Sequence, residues 1–543
     1  MLELSDGEHC SSPAMTSGYR SKPSSAASSW SNRVLLLAVA GICFLTLFPF
    51  QFSSHRHLPL NFNSPFLLGV DGKGTKLRDV FLNVLLFVPF GFGLAEKLRE
   101  RGMFRLRTFV IVFAAGAAFS YTIEFLQIFI PTRDSGWEDV FTNSTGAACG
   151  CLLFYAVGAT LVEFFALLER RIRDRLTPVW AIALLLIYFA IWFAASTRLQ
   201  ANSRLSNWDQ GAILAVGNDP SGAPADAWKG SVFAAQFWDM AMPPRAIQQL
   251  HLGPLAVAQQ LPIASYAFSG APPFHDQEKS LPTLLSVPAI PSLSSKKAQS
   301  PPSGRGFQLQ GENWLASEGP ISPLIKKLEA TSQFTIRIVC ASGSRGVDGR
   351  ILVISRPAGT VNVLVSQDDG ELSFWFRNPL TANRSTLVFR APHVFDFPVP
   401  RDLVFSYDGS TLLFYLDGKL VSSGYILGPG TSIVERFYSV KPIELRATVL
   451  WYYSLVFFPG GVLLGLAASR RTLKSLTVAA VFLLILMPVV LELILVGASH
   501  RAFSPADLPL SAAFGAIGML WINTDPSTKA VQKSKLTTPA VLA

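Results

Sequence analysis

Residues 121–150 of the chain read YTIEFLQIFIPTRDSGWEDVFTNSTGAACG. Glu124 and Asp139 lie fifteen residues apart in this stretch, on either side of a turn that contains Arg133. A carboxylate is costly to place inside a membrane-spanning segment, so each of the two acids is a candidate functional residue by default. The stretch therefore predicts two adjacent membrane helices that meet at a polar junction.

The same spacing occurs a second time near the other end of the sequence. Glu492 and Asp507 are also fifteen residues apart, and Arg501 follows the glutamate by nine residues, as Arg133 follows Glu124. An apolar turn with proline and glycine precedes each pair, at 87–91 and 457–461. A framework that recurs in this way predicts a duplicated membrane unit.

The composition is that of a membrane protein. Half of the 543 residues are hydrophobic and only 15% are charged, and the apolar residues gather in runs near the length of about 17–25 residues that crosses a bilayer. We predict eight spans, with approximate bounds of 34–50, 80–95, 108–130, 140–165, 179–195, 449–468, 476–498 and 508–522.

The net charge of +10 is interpreted as a topology signal, and no nucleic-acid partner is predicted. Lysine and arginine gather in connectors at 97–107, 170–175 and 470–474, and the positive-inside rule places such connectors in the cytoplasm. We therefore predict a multi-pass protein of the cell (inner or cytoplasmic) membrane. Both termini would be cytoplasmic and residues 199–445 extracytoplasmic. The oligomeric state is left open.

Five cysteines provide neither a disulfide framework nor a metal site. Cys340 is the single cysteine of the outer segment, and the others fall in the spans or in the N-terminal tail. No metal-ligand spacing is present, so we predict no metal and no cofactor. The first apolar run has no small-residue cleavage site after it, which predicts an uncleaved anchor.

The spans define the predicted domains. Residues 34–166 form a first four-helix unit, 178–196 supply the first helix of a second unit, and 447–522 supply its other three helices. Because each unit has four spans, two copies would point the same way, as a parallel repeat. The ends, 1–33 and 523–543, are predicted to be cytoplasmic tails, the first of them disordered.

Residues 199–445 interrupt the second unit and have the pattern of β structure. Segments such as 334–338 and 361–365 alternate or are β-branched, with Gly, Asp and Asn turns between them. Proline, serine and alanine dominate 261–303, which predicts a flexible loop or linker. The predicted fold class is a membrane all-α protein of about eight transmembrane helices in two parallel four-helix units, plus an extracytoplasmic all-β jelly-roll sandwich.

Residues 79–153 resemble the VanZ-like membrane family. The family pattern has an asparagine-bearing span that ends in Pro-Phe-Gly, then Glu-x-x-Gln, a proline and an arginine, then Asp-x-x-x-Asn before a small-residue helix. The corresponding residues here are Asn83, Pro89, Phe90, Gly91, Glu124, Gln127, Pro131, Arg133, Asp139, Asn143 and 146–150. The resemblance implies cell-envelope biology, including a link to low-level glycopeptide (teicoplanin) resistance, with no settled reaction.

The second unit shares only the outline of this pattern. Leu495 stands where the first unit has Gln127, Ser511 stands in place of the asparagine of the fourth span, and Tyr453 occupies the position of Asn83. We interpret the second unit as a structural or altered partner of the first.

The inserted segment resembles concanavalin A-like, laminin-G-type sandwiches. The most specific piece is VFSYDG at 404–409, which LFYLDG at 413–418 follows. Segments 216–218 and 228–232 resemble strands that usually close such a domain. Because they come before the rest, they suggest a permuted strand order.

Several side chains of this segment have both a functional and a structural interpretation. Tryptophans could stack on sugars, although aromatic residues of a sandwich are more often core; they are Trp208, Trp228, Trp314 and Trp375. Asp408 and Asp417 could join a calcium site, but Asp-Gly is first of all a turn signal. His500, next to Arg501, could form a polar pair at the outer face.

The predicted topology brings the polar residues of the first unit to the outer ends of spans two to four, where Asp79 also begins the second span. Residues three or four apart share one helical face, which pairs Glu124 with Gln127 and Asp139 with Asn143. Such a cluster could bind a polar headgroup, with Arg133 taking a phosphate or carboxylate. The predicted ligand-binding residues are Asn83, Glu124, Gln127, Arg133, Asp139 and Asn143, and their second-unit counterparts are Glu492, Arg501 and Asp507.

Three functions remain open, beside a purely structural network that pins the helices together. The first is a binding protein that recognises a glycan outside and a membrane lipid headgroup or lipid-linked cell-wall precursor below. The second is an intramembrane enzyme that uses Glu124 and Asp139 as acid and base on a lipid-linked substrate. The third is a transporter. The sequence offers no His–Asp nucleophile set in favour of the enzyme.

Overall fold

The computed structural model describes residues 25–47, 77–130, 136–175, 177–219, 226–252, 261–288, 306–437 (except 312, 344, 358 and 383–386), 440, 442, 445–468 and 474–523. The chain divides into two compact units, Met1–Arg175 with Asp525–Ala543, and Leu176–Thr524. Most of the predicted N-terminal tail and nearly all of the C-terminal tail lie outside the described residues, as do residues 48–76.

The described part of the first unit is helical. Its elements are α1 (Ser25–Leu47), α2 (Leu77–Glu100), α3 (Arg105–Gln127), α4 (Trp137–Leu153), a π-helical turn (Phe154–Gly158) and α5 (Ala159–Arg175). From α4 through the π turn to α5 the chain is one continuous helical run. The arginines at 170–175 are therefore carried on a helix that continues past the predicted end of the unit at 166.

Small residues let α2 and α4 approach closely. A Cβ atom at Gly91 would lie 1.9 Å from the carbonyl oxygen of Ala147, and one at Gly150 would lie 2.1 Å from that of Val88. Neither position has room for a side chain, so backbone meets backbone at two points along the pair. Close approach of this kind is how membrane helices gain van der Waals packing.

The second unit combines four long helices with a β domain. In chain order its elements are α6 (Pro178–Ala201), β1 (Ile213–Val216), β2 (Lys229–Trp238), α7 (Pro244–Leu252), β3 (Ala264–Ala267), β4 (Leu284–Pro288), β5 (Phe307–Gln310), β6 (Asn313–Ser317), α8 (Ser322–Thr331), β7 (Phe334–Ser342), β8 (Gly349–Ser355), β9 (Val361–Asp368), β10 (Glu371–Phe376), β11 (Phe389–Ala391), β12 (Arg401–Tyr407), β13 (Thr411–Leu416), β14 (Lys419–Ile426), α9 (Pro429–Val434), α10 (Leu445–Ala468), α11 (Lys474–Ser499) and α12 (Asp507–Asn523).

Helices α10 and α12 pack as α2 and α4 do. A Cβ at Gly461 would lie 2.0 Å from the carbonyl oxygen of Gly515, and one at Gly518 would lie 2.1 Å from that of Phe458. Gly515 and Gly518 follow Glu492 at the same distances along the chain at which Ala147 and Gly150 follow Glu124. The two helix pairs thus meet at corresponding positions.

Six helices of the described residues are long and apolar enough to cross a membrane, which gives a multi-pass helical part. They are Val80–Glu100, Arg105–Gln127, Trp137–Gly158, Ile182–Ala201, Leu445–Leu466 and Phe482–Ser499. The first and the last of the eight predicted spans correspond to shorter apolar helices, Asn32–Leu47 and Asp507–Trp521. Each begins with a polar residue, Asn32 in the first and Asp507 in the second.

The inserted segment forms two antiparallel sheets, which confirms a β domain beside the helical part. The strand orders are β11-β10-β9-β8-β1-β6-β4 and β14-β13-β12-β7-β2-β3, with β5 also paired to β2. Inward side chains of both sheets form one buried cluster. At its centre Phe374 of β10 stacks on Phe405 of β12 with ring centroids 4.0 Å apart.

The proline-rich segment differs from its prediction as a flexible loop. β3 pairs with β2 and β4 pairs with β6, so the part of the segment before 289 belongs to the sheets. Its apolar side chains explain this outcome, because Tyr266, Phe268 and Phe274 are buried in the sandwich core. Residues 289–305 lie outside the described residues.

Candidate functional site

The first candidate acid, Glu124, is buried at the end of α3. Its side chain is 2% exposed, and its Oε2 accepts a hydrogen bond from the backbone N–H of Gly136 at 3.1 Å. Gly136 is the residue immediately before α4. Glu124 therefore ties the end of one helix to the start of the next, as the predicted polar junction requires.

The second acid, Asp139, joins α4 to α2. The Nδ2 of Asn83 donates to the Oδ1 of Asp139 at 2.6 Å, between residues that are 56 positions apart. The structure thus brings together two of the predicted ligand-binding residues. Asp79 lies one turn before Asn83 on α2. Arg133 and the rest of the turn at 131–135 lie outside the described residues.

The two buried amides are incompletely satisfied. Gln127 is 6% exposed and Asn143 is 3% exposed. The Nε2 of Gln127 donates to the carbonyl oxygen of Thr46 on α1 at 2.8 Å, and the Nδ2 of Asn143 donates to the Oγ of Ser120 at 2.9 Å. The carbonyl oxygens of both amides are buried and have no hydrogen-bond partner among the described residues.

The partners Thr46 and Ser120 were not among the predicted residues. Ser120 lies on α3 one turn before Glu124 and is fully buried, so its hydrogen bond holds Asn143 of α4 against the face of α3 that carries the acid. Both are ordinary residues of apolar segments. The sequence gives a signal for Ser120, because this residue precedes Glu124 by four positions and so shares its helical face.

This cluster is rich in hydrogen-bond acceptors. A carboxylate accepts only, and each unsatisfied amide oxygen can accept further bonds. A buried acceptor without a donor costs roughly 1–3 kcal/mol. Among the described residues the arrangement therefore favours a group that brings N–H or O–H donors.

The second unit has a glutamate that makes the same kind of contact with a backbone N–H. Glu492 is 2% exposed, and its Oε1 accepts from the backbone N–H of Ser504 at 2.7 Å. The glutamate and the N–H donor are twelve residues apart in both units. Arg501 forms an ion pair with Glu492 through Nη2 and lies 3.7 Å from Asp507.

The amide positions of the second unit carry no comparable groups. Leu495 is an apolar side chain buried in the helix core. The Oγ of Ser511 donates to the carbonyl oxygen of Asp507 in its own helix at 2.7 Å. Tyr453, at the position of Asn83, packs in the same core, next to Tyr452.

The tryptophans of the sandwich divide into two groups. Trp208 and Trp228 are buried in the core, and their indole N–H groups donate to Arg377 O and to Gln367 Oε1. Trp314 and Trp375 are half-buried.

The two candidate calcium ligands act as turn residues. The Oδ1 of Asp408 accepts from the backbone N–H groups of Ser410 and Thr411. Asp417 accepts from Arg401 and from the backbone of Asp402. In the part of the chain that the structure describes, no group of three or more His, Cys, Asp or Glu side chains could hold a metal ion.

Asp408 and His500 lie where the sandwich meets the end of α11. Burial raises the pKa of Asp408 above its usual value, and the nearby Arg501 opposes that rise. His500 has an exposed side chain, and its backbone oxygen accepts from Nε2 of Gln333 at 2.6 Å. His500 therefore contacts the sandwich through its backbone oxygen.

Comparison with known proteins identifies one domain. Residues 19–159 match the family model described as VanZ/LLP1. The matched stretch contains all the predicted ligand-binding residues of the first unit and leaves the sandwich outside. Searches of curated proteins and of solved structures found no match. The chain thus carries a VanZ/LLP1-like domain at residues 19–159, and the six apolar helices among the described residues indicate a multi-pass membrane protein.

Proposed function

We propose that this VanZ-like membrane protein binds the polar headgroup of a lipid or lipid-linked envelope component at the helix ends of its first unit. The proposed site consists of Asn83, Glu124, Gln127, Asp139 and Asn143. The sequence predicts that Arg133, which lies outside the described residues, adjoins them. The observation that carries the proposal is the pair of buried amide oxygens, on Gln127 and Asn143, to which none of the described residues donates a hydrogen bond.

The amides distinguish a binding site from a scaffold. A purely structural network would pair its buried polar atoms, because an unpaired atom costs free energy and contributes nothing to packing. The second unit keeps the carboxylates and its arginine but has Leu495 and Ser511 at the amide positions. The ionic skeleton therefore suffices to hold helices together, and the amides of the first unit are available for another purpose.

The proposed ligand carries hydroxyl or amine donors. These would meet Glu124 and the two amide oxygens, while Arg133 would take a phosphate or carboxylate of the same molecule. A headgroup at this depth would leave its acyl chains beside the apolar helix surfaces. We place the site at the outer leaflet, on the basis of the Lys/Arg distribution.

The wider proposal concerns the sandwich and the second unit, and it uses the same predicted membrane topology. The sandwich would lie outside the cell membrane and bind a glycan, with the half-buried Trp314 and Trp375 as candidate stacking surfaces. The second unit would be a diverged copy of the first, which the repeated Glu-to-N–H spacing and the matched glycine contacts support. A role in glycopeptide resistance would follow from binding an envelope precursor.

The enzyme and transport hypotheses have less support. Glu124 is held by a backbone N–H at a helix junction, and Glu492 is held in the same way in the second unit. Because the same structural contact occurs twice, it accounts for the burial of both glutamates without acid/base chemistry. Arg501 and Asp507 lie beyond the end of α11 and at the first residue of α12, away from the middle of the spans, where a transport pathway would need polar groups.

The proposal is tested by lipid that copurifies with the full-length protein. In Gln127→Leu and Asn143→Ser the side chains of the second unit replace the amides, so we expect retained folding. Loss of one hydrogen bond to a charged donor, worth roughly 1.5–3 kcal/mol, should lower bound lipid about tenfold or more. Quantitative lipid mass spectrometry measures this, with Ser511→Ala as the matched control.

The opposite pattern would contradict the proposal. If Gln127→Leu and Asn143→Ser retain the wild-type lipid content while Glu124→Gln and Asp139→Asn lose yield and thermal stability, the residues form only a scaffold. Removal of one partner from a buried ion pair costs about 3–5 kcal/mol. If the residues form only a structural network, the two acid variants should therefore have a clearly lower melting temperature.

A further inference from the structure

The second unit contains a cavity of about 530 Å³ between its sandwich and the adjoining ends of its helices. One wall is the turn after β12, with Asp408. A second wall is α10, with Tyr452 and Tyr453, and a third is the loop 501–505 before α12. The volume lies in the range of cavities that bind small molecules, about 300–1,000 Å³.

The walls of the cavity are fixed to one another. Gly409 has a positive φ of 94°, and a Cβ there would lie 2.3 Å from the carbonyl oxygen of Ser499 at the end of α11. The Oγ of Ser203, just after α6, lies 2.6 Å from the carbonyl oxygen of Gly409. The sandwich turn is thus seated on the helix ends, so a ligand would meet an already formed site.

Gln200 presents an unused acceptor at this cavity. It lines the cavity and is 1% exposed. Its Nε2 donates to the hydroxyl oxygens of Ser203 and Ser499 at 2.9 and 3.0 Å. Ser203 directs its own proton to a backbone carbonyl, so it must accept from Gln200, which fixes the orientation of the amide. The Oε1 of Gln200 is buried and has no hydrogen-bond partner in the described part of the chain.

The charged side chains around the cavity are one base and two acids, Arg501, Asp408 and Asp507. Glu492 already engages the Nη2 of Arg501, so the lining carries more negative than positive charge. The Nε of Arg501 is a buried donor for which the described residues provide no acceptor. A complementary ligand therefore has a positive group with several donors and one anionic oxygen close to it.

We propose that this cavity binds a phosphoethanolamine-type headgroup, that is, a phosphodiester that carries a primary ammonium. The ammonium donates to Asp408, Asp507 and the Oε1 of Gln200, and a phosphate oxygen accepts from the Nε of Arg501. A quaternary ammonium lacks the N–H groups that these acceptors require. The site is separate from the first-unit cluster and does not depend on it.

The apolar part of the lining indicates where the rest of the ligand lies. Val449 on α10, Leu495 on α11 and the half-exposed Phe503 contribute to it, at the level where the helices leave the membrane. Glycerol and acyl chains attached to the phosphate would pass along these side chains into the bilayer. The same headgroup chemistry also occurs in soluble glycerophosphoethanolamine, which the experiment separates from the lipid.

The test uses the full-length protein in nanodiscs and a phosphatidylethanolamine that carries a photoreactive diazirine. We expect crosslinks in peptides that contain 241–244 and 501–505. Unlabelled phosphatidylethanolamine should suppress these crosslinks at least tenfold more effectively than phosphatidylcholine or phosphatidylglycerol. Suppression by soluble glycerophosphoethanolamine as well would identify the headgroup alone as sufficient, whereas suppression by the lipid alone would identify a membrane ligand.

Variants of the lining residues test whether the crosslinked lipid occupies this cavity. Asp408→Asn with Asp507→Asn preserves acceptors but removes the charge, and Ala502→Trp fills the cavity from its rim without changing an ionisable group. Both should reduce crosslinking at least tenfold, while Asp368→Asn, an exposed acid elsewhere on the sandwich, should leave it unchanged. Equal competition by phosphatidylglycerol, or unchanged crosslinking in Ala502→Trp, would overturn the proposal. Gln127→Leu should have no effect on this signal, which separates the site from the first unit.

Discussion

At the scale of single residues, Cys340 of the sandwich core carries a prediction about its reactivity. It lies on β7, fully buried between the two sheets, and burial raises the pKa of its thiol far above the usual value. The thiolate is the reactive form of cysteine, so this residue should be inert to maleimide in the folded protein at neutral pH.

Replacement of Cys340 by serine should destabilise the protein. A free buried cysteine behaves as a small hydrophobic side chain, whereas a buried hydroxyl without a partner costs roughly 1–3 kcal/mol. Thermal unfolding of full-length Cys340→Ser should therefore occur at a lower temperature than that of Cys340→Ala, the control for lost volume. A melting temperature of the serine variant equal to that of the wild type would show that the site is not apolar.

At the scale of the helices, the glycine contacts carry the next prediction. Gly150→Ala and Gly518→Ala would each place a Cβ 2.1 Å from a backbone oxygen, which forces α2 from α4 or α10 from α12. We expect both variants to lose yield and thermal stability. Gly41 and Gly497 have no atom within 4 Å of a Cβ, so alanine there should stabilise the helix by about 0.5–1 kcal/mol.

The glycine variants would also compare the two units. Similar losses for Gly150→Ala and Gly518→Ala are expected if the units pack alike. A large loss in one and none in the other would mean that the matched distances do not reflect matched packing. Yield and melting temperature of the four alanine variants, measured side by side in detergent, decide between these results.

Helix identity could be predicted from the sequence, because an apolar run of spanning length has few alternatives. Strands β3 and β4 could not be predicted in this way. Their partners, β2 and β6, lie elsewhere in the chain, and the proline-rich segment has no alternation of apolar and polar residues that would mark a strand. At the site, the polar junction between α3 and α4 could be predicted, because Glu124 and Asp139 are only fifteen residues apart in the sequence. The contacts of Gln127 with Thr46 and of Asn143 with Ser120 depend on tertiary packing, as does the unpaired state of both amide oxygens.

For the whole molecule, the predicted topology places the sandwich outside and the Arg-rich connectors inside. Single cysteines introduced at Ser366, on β9, and at Ser469, in the connector after α10, should therefore react with a membrane-impermeant maleimide from opposite sides. The chain without an introduced cysteine provides the background. Reaction of both positions from the same side would rule out this arrangement and the outer-leaflet location of the first-unit site.

The central claim is that the first unit binds a headgroup through its buried amides, and a density map tests it most directly. We predict that cryo-electron microscopy of the wild-type protein in lipid nanodiscs shows an elongated lipid density at the helix ends. Its polar end should lie within hydrogen-bonding distance of Gln127 Oε1 and Asn143 Oδ1, and the density should be absent in Gln127→Leu. Amide oxygens that are instead satisfied by protein groups or by ordered water alone, with no lipid beside them, would contradict the account.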